Sequence, residues 1–342
     1  MATIQDIARI SGYSIGTVSR VINNRADVSD EAKRKIEEVI RQENYQPNSN
    51  ARMLRQSVSP DISVIVRGNS NIFLQLILEK IQARVKEHGE VVNVQFIRET
   101  DDEVATAIQV VQNLKPKGLI FLGGDARTFG EEFSKISVPS VLITSSAEGL
   151  GFDNLSSFST DDWEASAYAV GVLLSQQHRR IGILGGYPPD DADAPEGSMP
   201  LRIQGAVEAM KQAGIAFDFQ RDYEACPFSA EGGYQGAKRL LLRSPDLTGI
   251  FAISDTIALG AVRALCDMGL RVPQDISIIG FDGVPYTKYS VPRLTTIAQD
   301  ISLLAEKGVD DLLMRISYDR PAVHETIPYR FVNGESVARP RD

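Results

Sequence analysis

Apolar positions recur along this chain in two different rhythms. Over the first sixty residues they fall at helical spacing in short stretches. Ile4, Ile7 and Ala8 share one face of a helix over residues 3–10. The pair Thr3 and Asp6 opens it, and Gly12 follows it, where a left-handed residue is needed. Ser14 caps a second helix over residues 15–23. Its Val18, Val21 and Ile22 face inward, while Ile15, Gly16, Thr17, Ser19 and Arg20 are left outside or at the edges. Ser29 caps a third helix with the apolar stripe Ala32, Ile36, Val39 and Ile40, and Asp30 and Glu31 suit its positive N-terminal end. Pro47 ends that helix, because the residue before a proline avoids the helical region. Asn48 begins a short helical segment through Gln56, too brief to be stable alone.

From about residue 61 the rhythm changes. Short apolar runs at 63–66, 92–97, 118–122 and 141–144 alternate with helices near 72–88 and 101–114. A second series follows, with strands at 181–184, 222–225, 249–253 and 276–281 and helices near 161–177, 200–213, 231–243 and 255–268. This alternation predicts parallel sheets covered by helices. The series occurs twice, and Lys117-Gly118-Leu119-Ile120-Phe121-Leu122 is echoed by Thr248-Gly249-Ile250-Phe251-Ala252-Ile253. Two such lobes joined by hinge strands form a cleft for a small ligand at the carboxyl ends of their strands. The expected organisation is a helical domain over 1–46, a hinge helix and linker over 47–60, and a two-lobed region over 61–342. Its lobes are interleaved, with crossings near 161 and 285–297.

Two short helices joined by a Gly-containing turn, with a supporting third, make a helix-turn-helix unit. The first turn of its second helix suits the major groove of DNA, because small polar residues let backbone and side chain approach base edges. Thr17 and Ser19 would bond phosphates or bases, and Arg20 either. A helical hairpin packed on the rest of the protein stays open at this point.

Charge bears on that choice only through its distribution. The 342-residue chain carries −9 overall, yet residues 1–56 hold nine Lys/Arg against seven Asp/Glu, and the remainder 27 against 38. A +2 head on a −11 body supports a DNA-reading N-terminus weakly. Apolar content of 43% excludes disorder over most of the chain. No apolar stretch is long enough to span a bilayer, and the N-terminus lacks the order of a signal peptide, so a cytoplasmic location is expected. Cys226 and Cys266 stand apart and read as free thiols in a reducing compartment.

The run Thr3-Ile4-Gln5-Asp6-Ile7-Ala8, then Ser11-Gly12-Tyr13-Ser14, then Thr17-Val18-Ser19-Arg20-Val21-Ile22-Asn23, closely resembles the start of LacI/GalR-family transcription regulators. So do Val28-Ser29 and the later Asn44-Tyr45-Gln46-Pro47-Asn48. Nearer the C-terminus, Ser254-Asp255-Thr256-Ile257-Ala258-Leu259-Gly260-Ala261, Asp275-Ile276-Ser277-Ile278-Ile279-Gly280-Phe281-Asp282 and Leu294-Thr295-Thr296-Ile297-Ala298-Gln299-Asp300 match family segments. The resemblance is diffuse over 57–198 and covers nearly the whole chain. It implies an α-helical helix-turn-helix domain plus an α/β two-lobed periplasmic-binding-protein-like core. It also implies DNA contacts from Thr3, Ser14, Ile15, Gly16, Thr17, Ser19, Arg20 and Asn23, and from Asn48, Ala51 and Leu54 of the hinge segment. Leu54, with its symmetry mate, would wedge a base step in the minor groove and kink the duplex. That segment would be ordered when DNA and a partner subunit hold it. Asn50 and Arg52 differ from several relatives.

For the cleft, the resemblance implies effector contacts from Asn71, Phe73, Arg202, Phe228, Ser254, Asp282 and Gln299. The fork of five donors on Arg202 suits ligand hydroxyls or a carboxylate. Asp282 would accept from hydroxyls, Gln299 and Ser254 would add bonds, and Phe228 would stack on a sugar face. Ser254 stands where asparagine is common, Gly283 where an acidic residue is common, and Thr144 where some sugar-binding relatives carry aspartate. Those changes argue against a standard monosaccharide.

Catalytic signatures are missing. Gly123-Gly124 and Gly185-Gly186 follow strands without GxGxxG or GxxxxGK[ST], and no GxSxG occurs. His88, His178 and His324 lack metal spacing. Asp161-Asp162 and Asp190-Asp191 read as solvated turn residues. The expectation is a homodimeric, ligand-responsive transcription factor, a repressor that binds a near-palindromic double-stranded DNA operator and takes a sugar or sugar derivative as effector. It needs no cofactor, metal or membrane. The rivals are a sugar-binding receptor without a DNA-binding role and an enzyme with two Rossmann-like lobes. The tail Asn333 to Asp342 has no leucine heptads, so no terminal coiled coil is expected.

Overall fold

The structure is a computed structural model that describes residues 4–14, 17, 18, 21, 29–42, 61–68, 70–186 and 200–341. The chain divides into two compact units, Met1–Ser59 and Pro60–Asp342.

In the N-terminal unit, α1 (Ile4–Ser11) and α2 (Asp30–Gln42) enclose a small core. Ile7, Ala8, Val18, Val21, Ile36 and Val39 meet there, the residues that helical spacing placed inward. Between the two helices, Thr17, Val18 and Val21 are also helical.

The larger unit is built on two six-stranded sheets. The first contains β1 (Ile62–Arg67), β2 (Val92–Ile97), β3 (Gly118–Leu122), β4 (Ser140–Ile143), β5 (Leu155–Ser159) and β11 (His324–Thr326), in the order β11-β5-β4-β3-β1-β2. The second contains β6 (Ile181–Leu184), β7 (Tyr223–Glu224), β8 (Gly249–Ala252), β9 (Ser277–Asp282), β10 (Thr295–Ala298) and β12 (Arg330–Val332), in the order β12-β10-β9-β8-β6-β7. All pairings are parallel except β10 with β12. Helices cover both faces, which is why the central strands are buried throughout. The first lobe uses α3 (Ile72–Glu87) and α4 (Glu103–Leu114). The second uses α5 (Asp162–Ser175), α6 (Leu201–Gln212), α7 (Ala230–Arg243) and α8 (Asp255–Asp267). The chain then returns to the first lobe as α9 (Ile301–Ser317).

Glycines set the closest helix packing. A Cβ on Gly260 would lie 1.9 Å from the Ala230 carbonyl oxygen, and one on Gly233 would lie 2.1 Å from that of Ile257, so α7 and α8 touch backbone to backbone. Gly205 does the same against the Trp163 carbonyl, joining α5 to α6.

The lobes are interleaved by three crossings. The chain leaves the first sheet after β5 at residues 160–161, returns after β10 at 299–300, and crosses again at 327–329 between β11 and β12. The second crossing therefore falls later than the 285–297 expected from sequence. Val284 does touch the first lobe's apolar core, but the chain comes back to pair β10 with β9 before it leaves. Each crossing departs from the carboxyl end of a strand within a few residues, so the carboxyl edges of the two sheets are brought together. Glu99, beyond β2, accordingly lies close enough to Cys226, beyond β7, for its charge to act on the thiol.

Candidate functional site

The helix-turn-helix begins with local chemistry. The Gly12 amide donates to the Ala8 carbonyl at 3.0 Å, and Gly12 sits at φ +76°, the left-handed end that glycine permits. The Thr17 amide donates to Ser14 Oγ at 3.1 Å, and the two hydroxyls lie 2.9 Å apart. Ser14 thus caps the second helix, and at least one of its lone pairs is used there. Ser14 is exposed and Thr17 half-exposed. Ser29 caps α2 through the Ala32 amide at 3.4 Å. Thr3, Ile15, Gly16, Ser19, Arg20, Asn23, Asn48, Ala51 and Leu54 lie outside the described residues.

At the carboxyl edge of the second sheet, three of the expected cleft residues come together. Arg202, in the first turn of α6, donates from Nη1 to Asp282 Oδ1 at 3.1 Å and to the Ile253 carbonyl at 2.7 Å. Its Nε donates to Asp162 Oδ1 at 3.1 Å. The guanidinium lies over the Phe281 ring, 3.9 Å from the centroid, which fixes its plane. Gln299 Nε2 donates to the same Asp282 Oδ1 at 3.0 Å. Asp282 Oδ2 and Gln299 Oε1 are buried and have no partner, although the two residues are only 1% and 4% exposed. Buried acceptors left unmet are rare, and here both sit at the meeting edge of the lobes.

The electrostatics follow from that burial. It pushes the Asp282 carboxyl up to about 6, against the pull of Arg202 and Gln299. Burial also raises Asp162, with Arg202 opposing. Burial works against the charge of Arg202, but the two carboxylates outweigh it and hold the guanidinium above its ordinary value. Asp282 itself has φ +115°, strained for a residue with a side chain. Asp255 holds the turn that follows. Its Oδ2 accepts from the Gly283 and Val284 amides at 2.6 and 2.9 Å, and its Oδ1 from Thr296 Oγ1 at 2.6 Å. Both oxygens are engaged, so Asp255 positions Asp282 and leaves the ligand to others.

The remaining expected residues are placed differently. Ser254 is buried and spends its Oγ on the Thr256 amide at 3.2 Å, as the N-cap of α8. Asn71 caps α3, its Oδ1 accepting from the Phe73 amide at 3.0 Å. Phe73, the second residue of α3, is 2% exposed and packs within the core that α3 and α9 form against the first sheet. Phe228 is half-buried beside the second lobe's core, just before α7.

Sequence reasoning missed two groups. Asp162 was read as a solvated turn residue, but Asp161 caps α5 through the Glu164 amide and leaves Asp162 to Arg202. The doubled aspartate ahead of an apolar helix was the available signal. In the first lobe, Arg67 at the end of β1 bonds Glu103 at 3.0 Å and the Glu99 carbonyl at 2.7 Å. Glu103 is buried and also accepts from the Asp125 amide and Thr128 Oγ1. Burial raises its pKa above the ordinary value, opposed by that amide and by Arg67. Thr144, after β4, stands at φ +86°, an unusual conformation for a β-branched residue. Among the described residues no cluster of His, Cys, Asp and Glu could hold a metal ion, and no helix is long and apolar enough to cross a membrane.

Residues 3–48 match the model of bacterial regulatory proteins of the lacI family, and residues 170–337 match that of the periplasmic binding protein-like domain. The HTH-type transcriptional regulator MalR of Clostridium butyricum is 33% identical over 97% of this chain and 98% of its own length. This chain belongs to the lacI family. The ribose operon repressor of Haemophilus influenzae is 31% identical over 92% of both chains. Among solved structures, the lac repressor dimer bound to operator and the anti-inducer ONPF superposes with a TM-score of 0.69 at 27% identity, covering 98% of this chain and 99% of that one.

As a lacI-family member the protein is a DNA-binding transcriptional regulator with an N-terminal helix-turn-helix and a periplasmic-binding-protein-like core. The family consists of regulators and not enzymes, which removes the two-lobed enzyme. The helix-turn-helix match removes the receptor without a DNA-binding role.

Proposed function

We propose that this lacI-family protein is a cytoplasmic homodimer that represses transcription from a near-palindromic operator, and that a sugar or sugar derivative bound between the lobes sets its DNA affinity. The observation that carries the effector half of this reading is the corner formed by Arg202, Asp282 and Gln299. Two buried acceptors there await donors, while a guanidinium is held in plane beside them. Hydroxyl-rich ligands supply such donors, and the strained φ at Asp282 is the kind of local cost that persists at ligand clamps. The likeness to a ribose operon repressor favours the same ligand class.

DNA contacts in this reading come from Ser14, Thr17, Ser19 and Arg20 in the major groove and Leu54 in the minor groove, with Thr3, Ile15, Gly16, Asn23, Asn48 and Ala51 beside them. The subunit contact uses apolar surface that the core leaves exposed, including Phe96 on the edge strand β2 and Tyr289 and Val291 between β9 and β10. Ligand-driven reorientation of the lobes acts through the three crossings, a coupling on the order of 1–3 kcal/mol. The test is a thermal-shift screen of sugars on the wild type and on Arg202→Ala. A sugar that stabilises the wild type should lose its shift in the variant. A full shift in Arg202→Ala removes that residue from the site.

A further inference from the structure

The charge of the effector is written into the same corner. Arg202 brings one positive charge, and Asp162 and Asp282 already face it at 3.1 Å each. Of the cations that follow strands at the first lobe's carboxyl edge, Arg67 is held by Glu103, Arg98 by Asp101 and Arg127 by Asp125. Residues 187–199, which join β6 to α6, contain no lysine or arginine in the sequence. On Asp282 and Gln299 the unmet buried atoms, Oδ2 and Oε1, are acceptors; Thr160 Oγ1 at the first crossing and Thr256 Oγ1 in the first turn of α8 are hydroxyls that also lack a partner. The two remaining hydrogens on Arg202 Nη2 can donate to a neutral hydroxyl oxygen. A carboxylate or phosphate there would be a third anion around one guanidinium, next to two acceptors that it cannot satisfy.

Resting on the effector reading above, we propose that this regulator selects ligands without negative charge, seating a hydrogen-bond-donating group against Asp282 Oδ2 and Gln299 Oε1. Neutral sugars and amino sugars carry that group, as hydroxyls or as an ammonium; the corresponding uronic acids and sugar phosphates place an anion where the site already has an excess.

The experiment is a thermal-shift and calorimetric series on the full chain with matched probes. They are glucose, galactose, ribose and maltose; glucosamine and galactosamine; glucuronate and galacturonate; and glucose 6-phosphate and ribose 5-phosphate. The expected result is a shift from one or more neutral or amino sugars, with the matched acid at least about tenfold weaker. A stronger amino sugar than its neutral parent identifies the donor as ammonium, and the reverse order identifies it as hydroxyl. In Asp282→Asn the preference for the uncharged or amino member over its acid should shrink by about tenfold, with the fold checked by circular dichroism. A uronate or phosphate that binds better than its neutral parent overturns the charge inference and leaves the regulator reading intact. A series with no shift from any probe overturns the effector reading together with the charge inference and leaves the family's DNA-binding role standing.

Discussion

Replacing Arg202 with methionine keeps most of the side-chain stem but removes the charge that faces Asp162 and Asp282. Both carboxylates are then left in a buried setting, and the Ile253 carbonyl loses its donor. Breaking a buried pair from one side costs about 3–5 kcal/mol. The pH dependence sharpens the expectation. The folded-state value of about 6 for Asp282 lies above the ordinary 3.8. The stability linked to it is therefore fully present below about pH 4 and is lost as pH rises through about 6, a difference of about 3 kcal/mol. Without Arg202 the carboxyl moves further up, so the variant keeps its proton where the wild type has lost it. Near pH 5 Asp282 is protonated in both folded proteins, and the variant's deficit is at its smallest. Between about pH 6 and pH 7.5 the wild type holds a paired carboxylate while the variant binds one proton more, so the deficit widens by about 1.4 kcal/mol per pH unit. Urea denaturation of both proteins across this range measures it. A deficit that is the same at each pH, or below about 1 kcal/mol throughout, would refute the claim that Arg202 neutralises Asp282.

Other consequences are independent of that one. Gly260→Ala drives a methyl into the Ala230 carbonyl, and the variant should lose about 1–3 kcal/mol in urea denaturation; no loss would mean that α7 and α8 do not cross so closely. Burial pushes the Cys226 thiol up to about 12, whereas Cys266 is exposed, so iodoacetamide on the native protein should alkylate Cys266 and spare Cys226, as peptide mass spectrometry would show. Arg20→Ala should weaken operator binding, and Leu54→Ala should reduce both affinity and DNA bending in a circular-permutation gel assay. Unchanged bending in Leu54→Ala removes the wedge.

What was legible in the sequence was mostly what periodicity and caps encode. The inward faces of α1 and α2, the glycine at position 12 and the serine caps at 14 and 29 are local features, and they stand where the pattern put them. So do all eight of the expected strands, to within a residue or two. β5 was not seen because its run, Leu155-Ser156-Ser157-Phe158-Ser159, is polar. Its serines are nonetheless buried, since Ser157 Oγ accepts from the Ala147 amide and Ser156 Oγ from Val323 and Arg315. Helix α9 was passed over, with Gly308 at its centre; tertiary packing explains that glycine, whose missing Cβ lets Ile143 approach. β11 and β12 have three residues each and depend on long-range pairing that no local pattern records. In the site, the resemblance brought Arg202, Asp282 and Gln299 together. Asp162 and the Arg67–Glu103 pair needed three dimensions, because their partners lie 40 and 36 residues away.

Ligand-controlled, sequence-specific DNA binding by the full chain is the central property to be measured. The direct measurement is fluorescence anisotropy of the protein on the DNA upstream of its own operon and on scrambled DNA of equal length, across a salt series, with and without a sugar that shifts its melting temperature. The account predicts tight binding to one near-palindromic segment, about a thousandfold or more above scrambled DNA, and a change of about five-fold or more on adding the sugar. Equal, weak and fully salt-sensitive binding to every sequence, unmoved by any such sugar, would contradict it.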